Sequence, residues 1–255
     1  MDIPILFEDN DLVVIEKPSG VICNRAATVK TETLQDFWDA RYGKVQRTEN
    51  IEQDENSKYF VERSGLVHRL DKETSGVMVM AKTAQAFVTL LAQFKEREVS
   101  KQYLALTHGL WKSREGEITL PVGRMRHNRK QMGVREDGRE SVTGYKVERE
   151  YRDWQFPKEL RVETRGYTGF SVVRFYPHTG RMHQIRVHSK HMGHSVVGDE
   201  LYAGRKRSRE DRKWCGRVML HAAKLTLTHP VTEKRMSWES DKSGISEIAE
   251  LYLQD

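Results

Sequence analysis

The chain has 255 residues, of which 37% are hydrophobic and 31% charged. With a mean hydropathy of -0.71, it reads as a polar-surfaced protein long enough for one large domain or two small ones. No apolar run approaches the roughly 18 residues of a membrane span, and the opening MDIPILFEDNDLVVIEK lacks the basic and apolar regions of a secretory signal, so a cytoplasmic protein without membrane contact is expected. Cys23 and Cys215 form no CxxC pair, which argues against a disulfide framework and a cysteine zinc module. The formal charge of +6 comes from 43 basic against 37 acidic residues, so its distribution matters more than its size. One basic cluster holds Arg124, Arg126, Arg129, Lys130, Arg135 and Arg139, and another Arg205, Lys206, Arg207, Arg209, Arg212, Lys213 and Arg217. Such runs fit solvated loops or a polyanion partner.

In chain order, residues 12–15 form a short apolar run that ends at Lys17-Pro18-Ser19-Gly20, a strand followed by a turn. Leu34, Phe37, Trp38 and Tyr42 share one helical face, with Thr33 placed as N-cap and Gly43 just past the end. Residues 44–63 turn polar and include Glu49, Glu52, Asp54 and Glu55, which suggests an exposed loop. Residues 77–81 predict a buried strand, and Ala84, Phe87, Leu90, Leu91 and Phe94 an amphipathic helix. Further strands are expected at 103–107, 160–163, 170–176 and 218–227, and a closing helix at 245–253. Strands this numerous, and not regularly interleaved with helices, predict an α+β fold: a mixed, mainly antiparallel β-sheet with flanking helices. With no repeat and no Pro-rich linker, residues 1–255 read as one domain, with 48–58 and 205–213 as loop insertions.

Two segments concentrate chemistry. The first, His68-Arg69-Leu70-Asp71-Lys72-Glu73-Thr74-Ser75-Gly76, gathers an imidazole, a guanidinium and two carboxylates in an expected loop, where catalytic groups tend to be mounted. Taken alone, it equally describes a turn in which Asp71 accepts local backbone hydrogen bonds. The second is Tyr176-Pro177-His178-Thr179-Gly180-Arg181-Met182-His183-Gln184-Ile185-Arg186-Val187-His188. Its apolar spacing suits a helix closed by Gly193, though a strand over 181–187 also fits. As a helix it would begin at Thr179-Gly180 and present free N–H groups to a phosphate, with Arg181 and Arg186 nearby. His183, His188, His191 and His194 bring no carboxylate or cysteine at ligand spacing, so no metal is expected.

Several segments in order carry a resemblance: HRLDKETSGVMVMAK, then Lys101-Gln102-Tyr103, PHTGRMHQIRVH, Gly193-His194 with Gly198-Asp199-Glu200-Leu201-Tyr202, and Leu220-His221-Ala222 with His229-Pro230. From KPSG at 17–20 to HP at 229–230, the sequence resembles the RluA family of pseudouridine synthases, and the ordered set is far more specific than any one piece. The resemblance implies the pseudouridine synthase catalytic fold with a central active-site cleft. It implies isomerisation of uridine to pseudouridine in structured ribosomal or transfer RNA, without cofactor. It further implies that Asp71 is the catalytic aspartate and Tyr103 the active-site tyrosine. Arg186 is implied as the arginine paired with the aspartate, flanked by apolar Ile185, while Arg69 helps organise the site and the flipped nucleotide; Arg181, from its place at the expected helix start, is a further substrate-binding candidate. His68, residues 74–76, His183 and His221 read as supports. The bland alternatives are a core tyrosine at 103 and a surface phosphate contact at 186.

Breaking the C1′–N1 bond and rejoining uracil through C5 suits a carboxylate, which can attack C1′ or take the C2′ proton. Burial would raise its pKa and a neighbouring guanidinium lower it. The uridine must also leave its stack. A glycosidase would need a second carboxylate, for which Glu73 is the nearest candidate. The other alternative, a non-catalytic RNA-binding descendant, would not require the triple Asp71, Tyr103 and Arg186. Relatives often carry an N-terminal S4 domain, whereas here the catalytic pattern starts almost at Met1, so a monomeric catalytic domain contacting RNA through its own basic clusters is expected. Val21-Ile22-Cys23-Asn24-Arg25 departs from the usual apolar run with a histidine after KPSG.

Overall fold

The computed structural model of the protein describes residues 1–43, 55–241 and 243–254. Residues 44–54 of the exposed loop expected at 44–63 lie outside the described residues. The chain folds into two compact units, one of residues 1–100 with 224–240, the other of residues 101–223 with 241–255.

The first unit contains β1 (Ile5–Glu8), β2 (Leu12–Lys17), α1 (Leu34–Tyr42), α2 (Glu55–Arg63), β3 (Ser75–Ala81) and α3 (Ala84–Lys95). Antiparallel pairing joins β1 to β2 and β2 to β3, with Ile15 opposite Met78 and Leu12 opposite Ala81. Every residue of β2 and β3 is buried, which is why both read as continuous apolar runs rather than alternating ones. α1 starts where expected: Thr33 accepts from the Asp36 N–H while Asp36 reaches back to the Thr33 N–H, a reciprocal capping box. Gly43 ends it at φ 77°, a conformation that favours glycine. The expectation of a loop through residue 63 is corrected, because residues 55–63 are α2. Its sequence ENSKYFVER buries Phe60 alone, so one apolar anchor against Trp38 and Phe87 replaces the usual stripe.

The second unit contains β4 (Ser100–His108), β5 (Glu115–Thr119), β6 (Val122–Arg124), β7 (Met132–Val134), β8 (Val142–Tyr151), β9 (Asp153–Trp154), β10 (Phe170–Pro177), α4 (Gln184–His191), α5 (Glu200–Ala203) and α6 (Arg205–Asp211). β11 (Leu220–Thr228) leads out of it to β12 (Arg235–Glu239), its antiparallel partner. α7 (Ile245–Tyr252) and β13 (Leu253–Gln254) close the chain. β4, β10, β8 and β5 are successive antiparallel neighbours, and β6 pairs with β7 as a separate two-stranded hairpin. The mixed α+β architecture with a mainly antiparallel sheet is therefore observed. Two local expectations are corrected. Residues 158–160 form a 3-10 turn and 161–163 are irregular, not a strand. Residues 205–211 form a helix, not a loop. α6 was hidden because its inward residues are Ser208, Glu210 and Asp211, which leaves no apolar periodicity to read.

Candidate active site

In the first unit, Arg69 and Asp71 lie on the loop ahead of β3, Arg69 exposed and Asp71 half-buried. Main-chain hydrogen bonding closes a turn from the Thr74 N–H to the Asp71 carbonyl at 3.1 Å. This bond uses the carbonyl of Asp71 and not its carboxylate. The loop is pinned from below by the KPSG turn. Lys17 is 0% exposed, and its ammonium donates to the carbonyls of Pro18, Val21 and Lys72 at 2.8, 2.8 and 3.0 Å. A buried ammonium is tolerated when its donors are satisfied, and here three carbonyls face it. Ser19 Oγ donates to the Glu73 carbonyl at 2.7 Å and the Gly20 N–H to that of Lys72 at 2.8 Å. The departure at 21–25 joins the same frame: Cys23 Sγ reaches the Leu70 carbonyl at 3.3 Å, and burial pushes its thiol pKa up. Arg25 is tied to α1 through Asp36 and Asp39 at 2.7 and 2.5 Å. His68 stacks on Phe94 with centroids 4.5 Å apart and accepts from the Val79 N–H.

The second unit holds Tyr103, Arg181, Ile185 and Arg186. Tyr103 stands on β4 opposite Phe175 of β10 and packs against a buried cluster that includes Phe175 and Ile185. The structure thus brings Tyr103 and Ile185 to one core. Arg186, 8% exposed, points a fixed fork at Asp199: Nε to Oδ2 is 2.7 Å and Nη2 to Oδ1 2.9 Å. Asp199 is fully buried and also caps α5 by accepting from the Leu201 and Tyr202 N–H groups. Two parallel charge-assisted bonds set both the position and the plane of a guanidinium. The Tyr202 ring lies 5.0 Å from the Arg186 guanidinium. Its hydroxyl accepts from the Met132 N–H at 3.0 Å and meets His183 Nδ1 at 2.8 Å. Through Met132 the hairpin of β6 and β7, bearing the first basic cluster, is fastened to α4 and α5.

The expectation that a helix N-terminus at Thr179-Gly180 offers free N–H groups is corrected. α4 begins at Gln184, after His183 in a left-handed conformation at φ 57°. Gln184 Oε1 accepts from Thr179 Oγ1 and from the Arg181 N–H, at 2.7 and 3.0 Å, so the turn is satisfied internally. Gln184 Nε2 in turn donates to the Val142 carbonyl. The Arg181 side chain reaches the Glu140 carbonyl at 3.3 Å. Of the histidines, His188 contacts Thr143 and Leu120, and burial lowers its pKa. His194 bonds the His108 carbonyl. Among the described residues, Asp9, Asp11 and His229 alone gather at metal-ligand separation. There His229 Nε2 donates to Asp9 at 2.8 Å while its Nδ1 accepts from the Val231 and Thr232 N–H groups, so both ring nitrogens are engaged.

Three features escaped the sequence reading. Burial holds the Lys101 ammonium down to about 8, and a Cβ at Gly180 would come within 3.9 Å of its Nζ. Lys101 was legible only as part of the Lys101-Gln102-Tyr103 run. Asp199 was quoted only inside a motif, without its role as partner of Arg186. Asp211 of α6 is 0% exposed and accepts from His108 at 3.0 Å, Tyr167 at 2.7 Å and the Gly198 N–H at 2.9 Å. Arg212 holds the carbonyl of the same Gly198 at 2.8 Å. α6 therefore grips the peptide immediately before Asp199. Gly198 has φ 75° and a Cβ there would meet the Arg217 carbonyl at 2.1 Å, so only glycine fits.

Comparison with known proteins follows the same residues. Residues 11–191 match the RNA pseudouridylate synthase family. The chain is 36% identical over 248 residues to ribosomal large subunit pseudouridine synthase D of Pseudomonas aeruginosa, covering 94% of this chain and 68% of that protein. It is 35% identical to an uncharacterized RNA pseudouridine synthase of Aquifex aeolicus, covering 99% of this chain and 73% of that one. The solved structure of human RNA pseudouridylate synthase domain containing 1 superposes with a TM-score of 0.69 at 25% identity, covering 100% of this chain and 89% of that one. The chain belongs to the RNA pseudouridylate synthase family of RNA-acting isomerases.

Proposed function

We propose that this protein converts uridine to pseudouridine in structured RNA, with Asp71 as the catalytic carboxylate and ribosomal large-subunit RNA as the substrate class. The observation that carries the reading is family membership over residues 11–191, a span that contains Asp71 on its pinned loop. The large-subunit assignment follows the names of several similar bacterial proteins.

In this reading the C1′–N1 bond breaks, the uracil turns, the C5–C1′ bond forms, and the C5 proton leaves for solvent while N1 gains one. No atom is added and no electron is exchanged. Ionised Asp71 acts at the sugar, and both routes open to it, attack at C1′ and removal of the C2′ proton, require the carboxylate form. Arg186 is the site arginine of this reading, and Asp199 fixes the plane of its guanidinium. Arg69 and Arg181 contact the flipped nucleotide and its phosphates, Ile185 gives the base an apolar wall, and Tyr103 stacks on it. Taking the uridine out of its stack costs a few kcal/mol, which contacts from the two basic clusters offset. A second carboxylate, as a glycosidase needs, is not used. No helix among the described residues is long and apolar enough to cross a membrane.

The test is release of the C5 hydrogen isotope from labelled uridine in large-subunit RNA and in transfer RNA. Release from the first and not the second supports the substrate assignment, and no release from either refutes the isomerase reading. Mapping pseudouridines in cells with and without the gene then locates the target.

A further inference from the structure

We infer that the second unit carries a binding cleft for an unpaired RNA nucleotide, built from residues 154–164 and extended by α6. This inference rests on the RNA-acting reading above. The cleft has a volume of about 440 Å³ and is lined by Trp154, Phe156, Lys158, Arg161, Val162 and Thr164. Its two aromatic rings are half-buried and braced from behind by the core. Trp154 meets Tyr167 and Phe170 edge-on at 5.8 Å each, and Phe156 tilts against Trp214 at 5.1 Å. Braced rings lose little freedom when a base stacks on them, and base stacking on aromatics tolerates any sequence. The cations at the mouth suit the attached phosphates.

Lys158 and Arg161 lie outside both basic clusters visible in the sequence, yet the fold fuses them with the second. Lys213 Nζ donates to the Arg161 carbonyl at 2.7 Å and to Glu210 at 2.5 Å, and Glu210 accepts from the Glu163 N–H at 2.8 Å. Arg207 donates to the Gly166 carbonyl at 3.0 Å. The 158–166 segment is thus riveted to α6, and its cations join Arg205, Lys206 and Arg209 on one exposed face. The acidic groups on this face are Asp153, Glu159 and Glu163, the last lying 3.6 Å from Lys206 and 3.9 Å from Arg165, together with Glu200 at 3.8 Å from Arg205 and Glu210 at 3.5 Å from Arg209. A cationic rim over an aromatic floor is the chemistry of a single-stranded nucleic-acid subsite.

The test measures binding of the full chain to a fluorescent RNA hairpin with a short single-stranded tail, to the same hairpin with an abasic tail, and to the blunt hairpin. The double variant Lys158→Glu with Arg161→Glu should bind the tailed RNA at least about tenfold more weakly and lower the salt slope by about 1.4. Phe156→Leu keeps apolar bulk and removes the stacking face; it should cost at least about fivefold on the tailed RNA and nothing on the abasic one. Isotope release from the blunt hairpin should be unchanged in all variants. Variants that bind tailed RNA as the parent does, or a parent that does not distinguish the tailed from the abasic RNA, would overturn the cleft. A parent that discriminates the tails but releases no isotope would keep the cleft and refute the isomerase reading instead.

Discussion

The loop of Asp71 and the α4 to α5 segment of Arg186 are held rigid by opposite means. Around Asp71 the contacts that pin the loop run to main chain: Lys17, Ser19, Gly20 and Cys23 reach the carbonyls of residues 70, 72 and 73. Around Arg186 they are between side chains, through Asp199, Tyr202 and His183. Main-chain pinning fixes the path of the loop while leaving the identity of its side chains to chemistry. A side-chain network fixes one charged group and can be undone by changing a single partner.

That contrast can be broken from either side. Asp199→Asn should have the largest effect on stability, because it leaves the buried Arg186 guanidinium poorly compensated; about 3 to 5 kcal/mol is expected, measured by denaturant unfolding, with turnover falling more than RNA affinity. Lys17→Met should cost about 3 kcal/mol by stranding buried carbonyls, and isotope release should fall although no substrate-contacting group has changed. If Lys17→Met keeps full turnover, the pinning of the Asp71 loop does not matter for catalysis.

Lys101→Met sharpens the comparison through pH. A lysine held down to about 8 in the folded protein titrates near 10.4 when unfolded. Between those values the unfolded chain binds the extra proton, so folded stability rises with pH from about 8 to about 10.4. Below about 8 both states are charged and the penalty of burial is complete. Lys101→Met should therefore stabilise the protein at pH 7 by on the order of 3 kcal/mol, with the advantage disappearing toward pH 10.4; thermal melts across this range check it. The smallest effect is expected from Tyr202→Phe. Losing the hydroxyl between Met132 and His183 should cost about 1 kcal/mol and loosen the β6 to β7 hairpin, read as faster amide exchange at residues 122–134.

The sequence revealed structure wherever local chemistry decides it. α1 was legible from Thr33 and Gly43 because capping is a matter of neighbours, and β2 and β3 from their unbroken apolar runs. α2 and α6 were not, since one rests on Phe60 alone and the other turns Ser208, Glu210 and Asp211 inward. Residues 160–163 alternate like a strand, but Leu160 and Val162 pack against an aromatic core from the end of a 3-10 turn and the irregular segment after it. α4 was found but placed too early, because Gln184 satisfies the preceding turn with its side chain rather than by helix continuation. For the candidate site, motif order singled out Asp71, Tyr103 and Arg186 as candidates, whereas several contacts that brace the surrounding segments join residues distant in sequence. Lys17 reaches Lys72, and Asp211 reaches His108, over separations of 55 and 103 residues, and no local pattern encodes such pairings.

The central claim, that Asp71 performs the isomerisation, is tested most directly by Asp71→Asn in a single-turnover assay of C5 isotope release, with RNA binding measured in parallel. The account predicts that release is lost while binding is retained. Undiminished release from Asp71→Asn would contradict it.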